Sequence, residues 1–241
     1  MNQPKVNVLV CVLTREERHG WVNPNLMVNL IQMSHDPRYA VAIEPITDLA
    51  PVDYARNYCV TLARDNKAHW LLMIDNDQAF EVPPLNVLAE SCGKFIIGMP
   101  TMQYGEDRFK NGAMFLPNIR REVGQKDDGD FMQLSRIGTG AMYLHHSVWE
   151  QIPGPWFKFE HDGSELHAQT KPEDFHFCDL ARKHGFEVWG HKRMLYHFHT
   201  IETTRVGMRM HALAQGKSGS RSEPLVFDLS DDCLENPAIT R

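Results

Sequence analysis

Residues 69–77 read HWLLMIDND, an unbroken apolar run that ends in Asp75-Asn76-Asp77. A run of this length bounded by a turn signal reads as a buried strand, and Asp and Asn are residues that stop strands. In open parallel sheets, ligands bind beyond the carboxyl ends of the strands. Two carboxylates flanking one small polar residue there can face one point and hold a hard divalent cation. The plainer alternative is a surface turn. The segments around this strand decide between them.

Upstream, Val6 to Leu13 is another continuous apolar run, as expected of a central strand. Asn23 to His35 reads as a helix with an Asn23 cap and Pro24 in its first turn. Tyr39 to Ile46 alternates as a second strand, and Pro51 to Asn66 is an amphipathic helix. Downstream, Pro83 and Pro84 open a helix to about Cys92, and Lys94 to Met99 is a fourth strand. This strand–helix alternation predicts a Rossmann-like parallel half with right-handed crossovers. Thr101 to Asp130 then reads as a hairpin with a mobile, charged segment, and Leu134 to His145 as a strand-like stretch carrying Gly138-Thr139-Gly140 inside it. Lys171 to Gly185 is helical, with short strands near Val188 and Leu195. Residues 1–215 are expected to form one domain and residues 216–241, opening with GKSGSRSEP, a linker or arm.

Composition narrows the classes. The 241 residues are 42% hydrophobic and 23% charged, which excludes a disordered chain and allows a large core. A net charge of −6 argues against indiscriminate binding to nucleic acid backbones. Five dispersed cysteines with no CxxC pair fit a reduced compartment and argue against a cysteine-based metal site. With no signal-like or membrane-length apolar run, the chain is expected to be a cytoplasmic protein.

Several other residues carry chemistry. Leu195-Tyr196-His197-Phe198-His199 reads as a strand whose histidines share one side, and an imidazole there can join a metal. Glu173-Asp174 open a helix after Pro172; the helix dipole favours carboxylates there, and one of them is placed to accept a proton from an attacking hydroxyl. Gly138-Thr139-Gly140-Ala141 offers a close backbone approach to a ligand. Arg56 and Asn57 lie on the helix before the acidic turn, where Arg suits a diphosphate, while Thr14 and Arg15 end the first strand, where a base or ribose would rest.

In this order, the features resemble the GT-A glycosyltransferases, in particular the short family-2-like proteins of bacteria and phages, over roughly residues 5 to 205. The carriers are Thr14-Arg15, Ala55-Arg56-Asn57, the DxD motif Asp75-Asn76-Asp77, Arg136 to Met142, Pro155-Trp156-Phe157, Glu173-Asp174-Phe175 and the histidine strand. The resemblance implies an α/β, Rossmann-like mixed sheet flanked by helices, and a sugar transferred from a nucleoside-diphosphate sugar, with UDP as first choice. Asp77, with Asp75 and His197, would hold Mn²⁺ or Mg²⁺. Asp75, Asn76, Thr14, Arg15, Arg56, Asn57 and Gly138 to Ala141 would line the donor, and Asp174, or else Glu173, would be the base of an inverting transfer. Such proteins have Gly where this chain has His199, whose role stays open. Val52 to Phe80 also resembles a mannosyltransferase family that retains configuration. Two alternatives stand beside transfer: a metal-dependent hydrolase built on Asp75, Asp77, His197 and His199, and a non-catalytic nucleotide- or carbohydrate-binding module. The acceptor is a saccharide, a protein, or a hydroxymethylated base in phage DNA. For the last, Arg108, Lys110, Arg120 and Arg121, with Arg205, Arg209, Lys217 and Arg221, are the basic residues available.

Overall fold

The computed structural model describes residues 5–14, 22–104, 115–161, 170–193 and 195–197. The chain divides into two compact units. The larger, Met1–Gln103 with Pro117–His197, carries the main sheet, its helices and the candidate site; nearly all of the smaller, Tyr104–Leu116 with Phe198–Arg241, lies outside the described residues, as does the expected arm at 216–241.

In chain order the elements are β1 (Val6–Leu13), α1 (Pro24–Ser34), β2 (Tyr39–Ile46), α2 (Val52–Asp65), β3 (Trp70–Asp75), β4 (Gln78–Phe80), α3 (Pro84–Glu90) and β5 (Ile96–Gly98). Two three-residue strands follow, β6 (Met102–Tyr104) and β7 (Phe115–Pro117), then β8 (Ile119–Arg120), β9 (Asp127–Asp128), β10 (Phe131–Leu134) and β11 (Arg136–Ile137). The remainder is β12 (Ala141–His145), α4 (His146–Gln151), β13 (Glu160–His161), β14 (Thr170–Lys171), α5 (Glu173–Lys183), β15 (Val188–His191) and β16 (Leu195–His197).

Eight strands form one sheet in the order β2-β1-β3-β12-β5-β15-β10-β9. β2, β1 and β3 are parallel, as the alternation of strands and helices requires. β12 then runs antiparallel to both β3 and β5, and β15 is parallel to β5. The sheet is therefore mixed, and β1, β3, β5 and β15 present their carboxyl ends to one edge, while β12 enters from that edge.

Alternate residues of each central strand feed opposite layers, as the two-residue period of a strand dictates. Leu9, Cys11, Leu71 and Met73 pack with Ala55 and Cys59 of α2 and Phe177 and Ala181 of α5. Val8, Val10, Leu72 and Ile74 pack with Leu26 and Leu30 of α1 and Leu85 and Leu88 of α3. The helices thus cover both faces. Asn23 caps α1 by accepting the Asn25 N–H at 2.8 Å, and Pro24 occupies the first turn.

Two sequence expectations need correction. Gly138-Thr139-Gly140 does not lie inside a strand: it links β11 to β12, because β11 pairs with β8 in a separate two-stranded ribbon and the chain must cross from there into the main sheet. The charged run 125–130 is not simply loose, since Asp127–Asp128 pairs with Phe131 and Met132 as the sheet's outermost strand, a place where charge at the edge deters further pairing.

Candidate active site

The acidic turn sits at the carboxyl edge, between the ends of β1 and β12. The Asn76 N–H donates to the Leu13 carbonyl at 3.0 Å, and the Asn76 carbonyl accepts from the Asn23 N–H at 2.9 Å. The Asp75 N–H donates to the Gly140 carbonyl at 2.9 Å. The turn is thereby fixed to β1, to the start of α1 and to the Gly-Thr-Gly loop at once. Asp75 continues the odd-numbered face of β3, the face covered by α2 and α5.

On that face stands Arg56, only 6% exposed. Its Nη1 donates to Glu173 Oε1, and its Nη2 lies 3.8 Å from Asp75 Oδ1. Glu173 is equally buried, in the first turn of α5. One guanidinium therefore draws together residues from α2, β3 and α5. Burying a charge is tolerable only with such a partner.

Beside it, Asp174 accepts the Phe175 N–H at 2.7 Å and the N–H of Thr139 from the glycine loop. Burial pushes the Asp174 carboxyl above its ordinary range, opposed by Arg56 and by these backbone donors. α5 is held in place from behind: Arg136 donates through Nε and Nη2 to the Asp179 carboxylate at 2.9 and 2.7 Å, and Lys171 Nζ pairs with it at 2.7 Å.

The glycine loop is close-packed. A Cβ on Gly138 would overlap Asn118 Nδ2, and one on Gly140 would come within 3.3 Å of the Gln78 amide. Gln78, directly after the acidic turn, is 2% exposed and donates through Nε2 to Asp77 Oδ1 at 3.4 Å. β16 pairs antiparallel with β4, placing His197 opposite Gln78 and so one register position from Asp77. The His197 side chain, Arg15 and His199 lie outside the described residues.

Of the other sequence candidates, Thr14 is buried at the end of β1, its hydroxyl donating to the Ile46 carbonyl at 3.3 Å. Asn57 straps a neighbouring loop: Oδ1 accepts the Trp156 and Phe157 N–H groups at 2.8 and 3.1 Å, and Nδ2 donates to the Asp53 and Phe157 carbonyls at 2.8 and 2.7 Å. Ala141 is buried as the first residue of β12. The basic residues weighed for DNA are partly committed: Arg121 Nη2 pairs with Asp127 at 2.6 Å, Arg120 is exposed, and the rest lie outside the described residues.

No family model and no curated protein matches the sequence. Solved structures do. A197 from STIV matches with a TM-score of 0.51 at 15% identity, over 79% of this chain and 85% of that one. The fold is GT-A. Weaker matches to GT-A-like structures include a Drosophila β-1,4-galactosyltransferase 7 mutant in complex with manganese, UDP-Gal and xylobiose, at a TM-score of 0.43 and 12% identity over 96% of this chain and 80% of that one. A CMP-2-keto-3-deoxy-manno-octonic acid synthetase complexed with CTP matches at 0.43 and 9% identity, over 88% of this chain and all of that one. Within this GT-A domain, no described helix is long and apolar enough to cross a membrane.

Proposed function

We propose that the chain is a divalent-metal-dependent glycosyltransferase, moving a sugar from a nucleoside-diphosphate sugar, with UDP as the leaving nucleotide, to an acceptor hydroxyl with inversion. The observation that carries this reading is Arg56, whose guanidinium gathers Asp75 of the acidic turn and Glu173 of α5 at the carboxyl edge, where sheets of this kind receive ligands. Metal-binding and base functions then belong to one site.

The donor set fits a hard cation. Asp75 and Asp77 flank the Asn76 turn at the carboxyl edge, and carboxylate oxygens are the ligands that such an ion takes. Asp75 and Asp77 would hold Mn²⁺ or Mg²⁺, with His197 as the third residue, supported by its backbone register next to Asp77. Bound there, the ion would act as a Lewis acid on the leaving diphosphate. Gln78 orients the Asp77 carboxylate through its amide. The Gly138–Gly140 loop, packed against Asn118 and Gln78, would border the donor sugar, and Asn76 and Thr14 hold the turn and strand end that would border the nucleotide.

Asp174 takes the proton of the attacking hydroxyl. Its raised proton affinity brings it nearer the working range of a base, whereas Glu173 is committed to Arg56. The acceptor class follows from the same chemistry as an alcohol, carried on a saccharide, a protein or a modified base.

Thermal-shift screening of nucleoside diphosphates and sugar nucleotides, with and without Mn²⁺, tests the reading. A specific donor stabilises the fold by mass action, and Asp77→Ala should lose that shift while melting normally without ligand. No Mn²⁺-dependent stabilisation by any nucleotide would overturn it.

A further inference from the structure

We infer that Arg56 is a positioning residue, setting Asp174 through Glu173, rather than a residue that grips the diphosphate; this rests on the transferase reading above. Three observations carry it. The Arg56 side chain is 7% exposed and that of Glu173 8%, which leaves the guanidinium facing inward. Nη1 is spent on Glu173 and Nη2 is nearest Asp75, while Nε is buried with no partner. And Glu173 is the residue immediately before Asp174 in the first turn of α5, so an ion pair that fixes one fixes the backbone that presents the other.

A buried guanidinium anchored to a carboxylate has little freedom to swing toward an incoming phosphate. Breaking such a pair costs a full uncompensated charge. The planar fork also explains why arginine stands here: it can address carboxylates on two elements at once, which an ammonium does less well. The part played by Arg56 is mechanical and electrostatic. It holds the helix that bears the base against the strand that bears the acidic turn, and it keeps Asp75 beside a fixed positive charge.

The test uses the full chain and four variants: Arg56→Lys, Arg56→Gln, Glu173→Gln and the double variant Arg56→Gln/Glu173→Gln. The first readout is melting of the metal-free protein. The losses of the two Gln variants should be less than additive in the double variant. Additive losses would overturn the coupling. The second readout is the affinity for UDP with Mn²⁺, set beside turnover of the sugar nucleotide that stabilises the wild type most. Arg56→Lys should bind UDP within about threefold of wild type while kcat falls at least about tenfold. A tenfold loss of UDP affinity with kcat preserved would assign Arg56 to the diphosphate and overturn the inference. Should Arg56→Lys fail to fold, Glu173→Gln carries the same expectation, and unchanged kcat in it would be equally fatal. Absence of UDP binding by the wild type would instead remove the transferase reading, and this inference with it.

Discussion

The two ends of β3 carry opposite kinds of polar cluster. At its carboxyl end, Asp75 lies beside Arg56, whose buried guanidinium is paired with the buried Glu173 carboxylate next to Asp174. At its amino end, Trp70 packs edge-on against His145 at 4.9 Å between ring centroids, and His145 lies 4.2 Å from the ring of His146, which is itself 6.1 Å from His69. Here the imidazoles make local bonds. The Asn7 N–H donates to His69 Nδ1 at 3.0 Å, His146 Nδ1 pairs with Glu150 at 3.1 Å, and His145 Nδ1 lies 2.9 Å from the Ser147 hydroxyl. Burial, with His146 and His69 close by, pushes the His145 imidazole down to about 4. One end holds a buried charge by pairing it; at the other, burial disfavours the charged form of His145. The first cluster lies at the sheet edge that receives ligands, whereas the second is spent on ring packing and local hydrogen bonds.

The largest expected effect breaks the carboxyl end. Asp174→Asn should lower transfer by about 10²- to 10⁴-fold while leaving Mn²⁺-dependent UDP binding intact, as steady-state kinetics beside calorimetry would read. The same variant sharpens the contrast in stability. A carboxyl whose folded value is raised loses stability as pH climbs from its ordinary value through the raised one. Asp174→Asn should therefore melt above wild type near neutral pH, with the gap closing toward pH 4.

Next in size is the glycine loop. Gly138→Ala forces a Cβ into Asn118, whose Oδ1 already accepts the Thr101 N–H at 2.9 Å and whose carbonyl accepts the Gly138 N–H. A loss of about 1–3 kcal/mol in denaturant unfolding is expected.

The smallest effect belongs to the amino end. Because the folded value of His145 is depressed, the unfolded chain takes up the proton first, so stability falls as pH drops from 6.5 toward about 4 and then levels off. Solvent screening at this partly buried ring limits the effect to ~1–2 kcal/mol. His145→Phe should flatten melting temperature over that window, and an unchanged slope would remove His145 from the account.

Much of this was readable in advance. Val6–Leu13 and His69–Ile74 announced central strands by unbroken apolar runs, and Asn23-Pro24 announced the start of α1. The direction of β12 was not readable, because hydrophobic pattern records burial and period but not which way a strand runs. Arg56 was legible as a residue of interest but not as a buried one. Its signal was present: Arg56, Cys59, Val60 and Ala63 share the helical spacing of the stripe facing the core, and all four are buried. Its partner Glu173 lies 117 positions away, and no local pattern spans that distance. The histidine cluster likewise joins His69 to His145 and His146 only through the pairing of β12 with β3.

The way β12 is inserted also limits how the chain can change length. Its last residue, His145, passes straight into α4 at His146, so that end has no slack. At the other end, the carbonyl of Gly140 holds the Asp75 N–H and Ala141 is fixed opposite Ile74, so an added or deleted residue would slip every side chain of the strand to the wrong layer. Lineages carrying this domain should therefore lengthen and shorten elsewhere and keep the spacing from Gly138 to α4 constant.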